Sequence, residues 1–147
     1  MPHSYILSIQ QNRPDGRLLE ETFRQDGSDI ELLTLYSPEA ALDHLRDPRR
    51  PLPALILLAG RFPTITAVEL LRMFKADPRL RGIPVLVIKS YMRQDEIDRL
   101  FSEQASSVIE LPGKLSEVEE MVRLIKAYWF GIAGLGSKED KGCETAG

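Results

Sequence analysis

The chain is short of most residue types that support metal, redox or nucleic-acid chemistry. Its one cysteine, Cys143, stands in the C-terminal stretch, so neither a disulfide framework nor a thiolate metal cluster is expected. Its two histidines, His3 and His44, have no second ligand at metal spacing and read as solvated side chains. Basic runs are nearly absent: Arg46, Arg49 and Arg50 gather around Asp47, and the net charge is −3. That balance argues against a nucleic-acid-binding surface, which would show a basic stripe. No apolar run approaches the length of a membrane helix and the first residues carry no signal-peptide pattern, so a soluble, cytoplasmic protein is expected, with no membrane partner. Gly60 and Gly82 stand alone, which excludes a glycine-rich phosphate loop. The most telling gap is acidic: no Asp or Glu lies between Asp47 and Glu69.

That gap surrounds the stretch on which the chain is organised, Pro53 to Pro63 (PALILLAGRFP). Leu55, Ile56, Leu57 and Leu58 form an unbroken apolar run bounded by prolines. Such a run reads as a strand buried on both faces, in the middle of a parallel sheet. The rest of the chain alternates around it. Tyr5 to Ile9 is a first strand ending in a polar corner, Gln10-Gln11-Asn12. Leu18, Leu19, Thr22 and Phe23 give Arg17 to Arg24 the spacing of a helix with one buried face. Ile30 to Tyr36 is a second strand, and Ser37-Pro38 is a helix start: a hydroxyl cap followed by proline at the first helical position. Ala41, Leu42 and Leu45 line that helix. A third helix runs from Ala67 to Phe74 and stops at Asp77-Pro78, because the residue before proline avoids helical angles. Val85 to Ile88 is a fourth strand; Ile97, Leu100 and Phe101 mark a fourth helix. Ser107 to Leu111 is a weaker fifth strand, and Leu115, Val118, Val122, Ile125 and Trp129 mark a strongly amphipathic last helix.

Strand then helix, five times over, predicts an α/β fold with a doubly wound five-stranded parallel sheet. The 147 residues suffice for one domain with a real core and are too few for two. We assign 1–130 to that domain. The glycine-rich, then charged, segment 131–147 is expected to be a flexible tail, mobile from about Gly136, since it has too little apolar surface to offset the entropy of ordering. Asp26, Asp29 and Glu31 read as a solvated turn.

Five βα units of this size, with VELLRMFKADPRLRGIPVLVI in the second half, resemble the receiver domain of bacterial response regulators. The link Lys75-Ala76-Asp77-Pro78-Arg79-Leu80-Arg81-Gly82-Ile83-Pro84-Val85 is similar to that family's connection between third helix and fourth strand. The closing Tyr128-Trp129-Phe130 resembles, more narrowly, small single-domain regulators that partner phytochrome-type histidine kinases. The resemblance spans Tyr5 to Phe130 and implies the (βα)5 flavodoxin-like receiver fold.

Position by position, the chemistry departs from the family pattern. The acidic pair that holds magnesium after strand one matches Gln10 and Gln11. The phosphorylated aspartate at the end of strand three matches Ala59. The switch hydroxyl ending strand four matches Lys89, followed by Ser90; the switch aromatic of strand five matches Val108. The lysine ending strand five matches Leu111, before Pro112. Phosphoryl transfer needs an oxygen nucleophile and charge neutralisation, and magnesium needs carboxylates to anchor it. The resemblance therefore implies a degenerate receiver with no cofactor, no metal and no catalysis, whose former acidic pocket is a sealed structural end. Lys89 either lays its stem over that pocket, pairs with Glu110 on the next strand, or is solvated.

A receiver that has lost its switch works by binding. The family presents helix four, strand five and helix five to partners. Here that face would carry Arg93, Glu96, Arg99, Leu100, Glu103, Ser107, Ile109, Glu119, Arg123, Lys126, Trp129 and Phe130. Mixed charge around an apolar centre suits a self-complementary homodimer contact; the same residues would serve a histidine kinase or another signalling protein. Two rival classes stand beside this one. A small-molecule module would line the vacated pocket with Gln10, Gln11, Lys89 and Ser90. An enzyme on the doubly wound fold ranks lowest, because no nucleophile–base pair can be placed at the carboxyl edge of the sheet.

Overall fold

The computed structural model describes residues 5–25, 30–60, 62, 64–89, 92–110 and 113–132. His3, Asp26, Asp29, Ser90, Tyr91, Leu111, Pro112, Cys143 and the segment from 133 onward, on which several expectations fall, lie outside them.

Strands and helices alternate throughout: β1 (Tyr5–Gln10), α1 (Arg13–Arg24), β2 (Glu31–Leu35), α2 (Pro38–Arg46), β3 (Leu55–Ala59), α3 (Ala67–Ala76), β4 (Val85–Lys89), α4 (Gln94–Ser102), β5 (Ser107–Glu110) and α5 (Leu115–Ile125). A π-helical segment, Lys126–Ile132, continues α5 past the expected end of the domain at 130. All strand pairs are parallel and the order is β2-β1-β3-β4-β5, the flavodoxin-like doubly wound arrangement.

The two-residue period of the strands divides the core. Leu7, Ile9, Ile56, Leu58, Val85 and Val87 face α2, α3 and α4, where Leu42, Leu45, Leu70, Leu71, Phe74 and Leu100 cover them. Ile6, Leu55, Leu57, Leu86 and Ile88 face α1 and α5, under Leu19, Phe23, Val118, Met121, Val122 and Ile125. Every residue of β3 is buried, as an unalternating run requires of a central parallel strand.

Local chemistry fixes the helix starts. Ser37 Oγ accepts from the Ala40 amide at 3.0 Å with Pro38 inside the first turn. Thr66 and Glu69 form a reciprocal capping box: the Glu69 amide donates to Thr66 Oγ1 at 3.1 Å and the Thr66 amide to Glu69 Oε1 at 2.9 Å. Helix α1 begins earlier than its apolar spacing predicts. Asn12 Oδ1 accepts from the Asp15 amide at 3.0 Å and Pro14 follows the cap, so the polar corner after β1 is itself the helix start.

The link from α3 to β4 is pinned from both sides. Lys75 Nζ donates to the carbonyls of Arg81 at 3.1 Å and Ile83 at 3.3 Å, and burial lowers its pKa. Asp77 Oδ1 accepts from the Arg79 amide at 2.8 Å, while Arg79 Nη1 reaches the Leu45 carbonyl at 3.2 Å.

His44 is not the solvated side chain expected. It is half-buried at the amino edge of the sheet, with Nε2 2.9 Å from Tyr5 Oη. The tyrosine hydroxyl donates to the Pro51 carbonyl at 2.6 Å, so the imidazole donates through Nε2–H and offers Nδ1 to Arg50, 3.4 Å away. Burial, then the Arg50 charge, holds its pKa below the usual value. A spacing argument for metal ligation excluded one role for this ring and left its packing unread.

Candidate functional site

The carboxyl edge of the sheet is where this topology places ligands. Over β1 and β3 the strand ends themselves are buried. Gln10 is in register with Ala59, and both are buried, at 2% and 8% exposure. The Gln10 amide donates through Nε2 to Ser8 Oγ at 2.9 Å, two residues back on the same face of β1. Gly60 turns the chain out of β3 with φ +105°, a left-handed conformation that favours glycine. A Cβ there would stand 2.9 Å from Gln11 Cβ, so Gln11 lies directly against the turn. Gln10 and Ala59 are thus neutral, adjacent and buried, while Gln11 is exposed beside the turn. Gln10 and Gln11 offer only amide oxygens to a cation. Among the described residues, no group of three or more His, Cys, Asp or Glu stands where it would hold a metal.

Over β4 the edge is open. A cleft of about 560 Å³ lies between α3 and α4, floored by Gly60, Phe62 and Leu100 and walled by Arg72, Lys89, Arg93 and Arg99 with Glu69 and Glu96. Gln10 and Gln11 do not line it. Of the polar lining foreseen for a vacated pocket, Lys89 borders this cleft. Strand alternation puts Lys89 on the face of Val85 and Val87, toward α4. Its side chain is 11% exposed and its Nζ lies 3.7 Å from Glu96 Oε2. Glu110, its register partner on β5, is exposed, and the pairing foreseen across the strands is replaced by the one with α4.

The walls of the cleft are braced by ion pairs. Arg72 donates through Nε and Nη2 to Glu103 Oε2, at 3.0 and 2.8 Å, tying α3 to the end of α4. The guanidinium holds the Glu103 carboxyl below its usual range. Arg93 grips Asp95 through Nε at 3.0 Å and lowers that carboxyl likewise. Glu96 Oε1 accepts the Arg93 amide at 3.1 Å and so caps α4.

The residues picked for partner contact divide between two surfaces: Arg93, Glu96 and Arg99 line the cleft toward α3 and Glu103 bonds Arg72 there, while Ser107, Ile109 and Trp129 line a groove on β5 and α5. Arg93, Arg99, Glu119 and Arg123 are exposed; Glu96, Glu103, Ser107, Ile109, Trp129 and Phe130 are half-buried. Leu100 is 2% exposed and belongs to the core beneath α4, because its place in the apolar stripe turns it inward. Lys126 is 9% exposed and turns to α1: its Nζ bonds the Phe23 carbonyl and lies 5.2 Å from the Phe23 ring centroid. A cation was read as surface, yet its stem and charge are both used against α1.

The apolar stripes also err in the other direction. Phe101 and Leu115 are 50% and 54% exposed, and so are Leu124 and Tyr128, at 52% each. Leu124 and Tyr128 rim a groove of about 620 Å³ floored by Ile109, Met121 and Ile125, with Trp129 at its end. The Tyr128 and Trp129 rings meet edge to face at 5.0 Å. A large apolar residue out of phase with its helix, such as Leu124, was the available sequence signal for this groove.

No family model matches the chain. The probable methanogenesis regulatory protein FilR2 of Methanothrix harundinacea is 32% identical over 129 residues, covering 86% of this chain and 83% of that one. Response regulator Rcp1 of Synechocystis is 27% identical over 133 residues, covering 88% and 90% of the two chains. The solved structure of the phosphorylated cyanobacterial phytochrome response regulator RcpA superposes with a TM-score of 0.82 at 27% identity, over 89% of this chain and 96% of that one. The manganese-bound form of Rcp1 gives 0.78 at 27% identity, over 87% and 94%. Sheet order, helix placement and these relatives agree: the chain belongs to the response-regulator receiver family, the signalling modules of two-component systems.

Proposed function

We propose that this receiver does not take a phosphoryl group and acts by binding a protein partner. The observation that carries the reading is Ala59 at the end of β3, in register with Gln10. An alanine has no oxygen to phosphorylate, and a glutamine beside it has no charge to hold a divalent cation. RcpA has been solved phosphorylated and Rcp1 with manganese; this chain keeps their scaffold and has exchanged the side chains that such chemistry requires. The partner face is that of α4, β5 and α5, used for a second copy of the chain or for a histidine kinase or other signalling protein. Exposed Phe101, Leu124 and Tyr128 supply apolar area there, and Glu119 and Arg123 supply charge of both signs around it.

Incubation with acetyl phosphate and magnesium, followed by intact-mass measurement, tests the first half. No phosphoryl adduct is expected; an adduct at any aspartate or glutamate overturns it. Sedimentation equilibrium tests the dimer. The native chain is expected to dimerise and Leu124→Glu to be monomeric, and a native chain that stays monomeric at high concentration removes the homodimer.

A further inference from the structure

We infer that the amino edge of the sheet, at the end away from the cleft, is a docking surface for an acidic segment of a protein partner. The surface lies on the linkers into β3 and β4. It is separate from the face of α4, β5 and α5 and does not depend on the reading above.

Two linkers of the same design build it. Helix α2 ends at Asp47-Pro48-Arg49 and α3 at Asp77-Pro78-Arg79, and each aspartate stands the same number of residues ahead of its strand. Each aspartate is the extended C-cap of its helix. Each carboxylate accepts the amide of the arginine two residues on, at 3.0 Å for Arg49 and 2.8 Å for Arg79. Because β3 and β4 are neighbours in the sheet, the two turns stand side by side. Arg79 Nη1 reaches across to the Leu45 carbonyl at 3.2 Å. A proline fixes φ in both turns, and a surface held in this way loses little freedom on binding.

The turns put five exposed arginines on one rim: Arg46, Arg49, Arg50, Arg79 and Arg81. Their charge survives a count of the acids around them. Arg49 and Arg50 share the single Asp47 carboxylate. Arg46 and Arg81 form no ion pair with a described residue. Lys75 adds a sixth cation, whose ammonium donates to the Arg81 and Ile83 carbonyls. Against these six stand Asp43, Asp47 and Asp77, with Glu31 at the start of β2, while Glu103 is held by Arg72. The rim keeps a surplus of two positive charges in a chain whose net charge is −3.

The chemistry of the rim favours carboxylates on a polypeptide. A guanidinium pairs with a carboxylate through parallel bonds. Leu52, 37% exposed, and the exposed Pro48, Pro51 and Pro78 lay apolar surface among the arginines, the mixture that protein contacts use. A nucleic acid or an anionic membrane presents denser charge over a longer span than two short turns can meet, and the chain's net negative charge repels both.

The test is amide NMR of the full chain at constant ionic strength held by chloride. The probe is a short peptide of aspartate and glutamate with one central leucine. Its counterpart of asparagine and glutamine, duplex DNA and phosphatidylserine vesicles are titrated separately. Saturable shifts are expected with the acidic peptide at Arg46, Arg49, Leu52, Arg79 and Arg81, and none with the amide peptide. Arg46→Glu and Arg81→Glu are exposed positions outside the hydrogen-bonded turns, and together they should weaken binding about tenfold. Arg17→Glu, an equal change of charge on α1, should leave it unchanged. Four results overturn the inference: no saturable shift with the acidic peptide, equal shifts with the amide peptide, tighter binding to DNA or vesicles, or an affinity unaltered in the double variant.

Discussion

The carboxyl edge of the sheet divides into halves that solve opposite problems. Over β1 and β3, Gln10 and Ala59 are neutral, in register and buried. Over β4, Lys89 and the walls of α3 and α4 keep charge around an open cleft. A cluster of carboxylates repels itself unless a cation is bound; the Gln10 amide and the Ala59 methyl group carry no such repulsion and are buried without one. The second half keeps its charges hydrated or paired and is free to stay open. One fold edge therefore carries both a buried neutral pair, Gln10 and Ala59, and a solvent-accessible charged cleft.

The sharpest way to break this comparison is to return one charge to the closed half. Gln10→Glu keeps the shape and, when protonated, can still donate to Ser8. Desolvation raises the folded-state pKa of such a carboxyl above its unfolded value of about 4.3. The deficit is thus absent below that pH, grows as pH rises through it, and levels off above the folded pKa. We expect a loss of about 3 kcal/mol at pH 7 relative to the native chain, read from urea unfolding across pH. A pH-independent difference would show that the edge over β1 is wetter than its 2% exposure implies.

The next effect comes from the turn between the halves. Gly60→Ala combines a positive φ with a Cβ 2.9 Å from Gln11. A loss of about 2 kcal/mol is expected, measured by the same unfolding midpoint. The mirror experiment in the open half should do little. Glu96→Gln keeps an oxygen for the Arg93 amide and releases the Lys89 ammonium, for an expected cost below about 1 kcal/mol. A larger loss would mean that the cleft, too, is built for stability.

At the opposite edge, His44 gives a reference whose sign differs from that of Gln10→Glu. Burial and Arg50 depress its folded pKa, so its contribution is complete above the unfolded value of about 6.5 and is lost as pH falls through the folded pKa. Its imidazole resonances should titrate below that of an unfolded peptide, and a midpoint at or above it would contradict the Tyr5 and Arg50 contacts.

The architecture was legible because its signals are local. The unbroken run Leu55–Leu58, the Ser37-Pro38 start and the Asp77-Pro78 stop each state one geometric consequence. The start of α1 was missed because Asn12 was read as a corner and not as a cap. The site was legible by position and not by packing. Matching residues to a family pattern placed Gln10, Ala59 and Lys89 at the edge. It did not show that Lys89 leans to Glu96, that Arg72 crosses to Glu103, or that Lys126 reaches α1. Two of those contacts join residues 31 and 103 apart in the chain, and side-chain type alone does not order any of the three.

The Lys126 contact also bears on how the chain is made. Phe23 lies in the last turn of α1, where carbonyls lack partners within the helix. The cation that satisfies its carbonyl is 103 residues downstream. A ribosome delivers the first helix long before that lysine emerges. The end of α1 should stay frayed during synthesis and set only when the segment after α5 folds back, so a nascent chain halted before Lys126 should expose the α1 terminus to protease while its central strands are already protected.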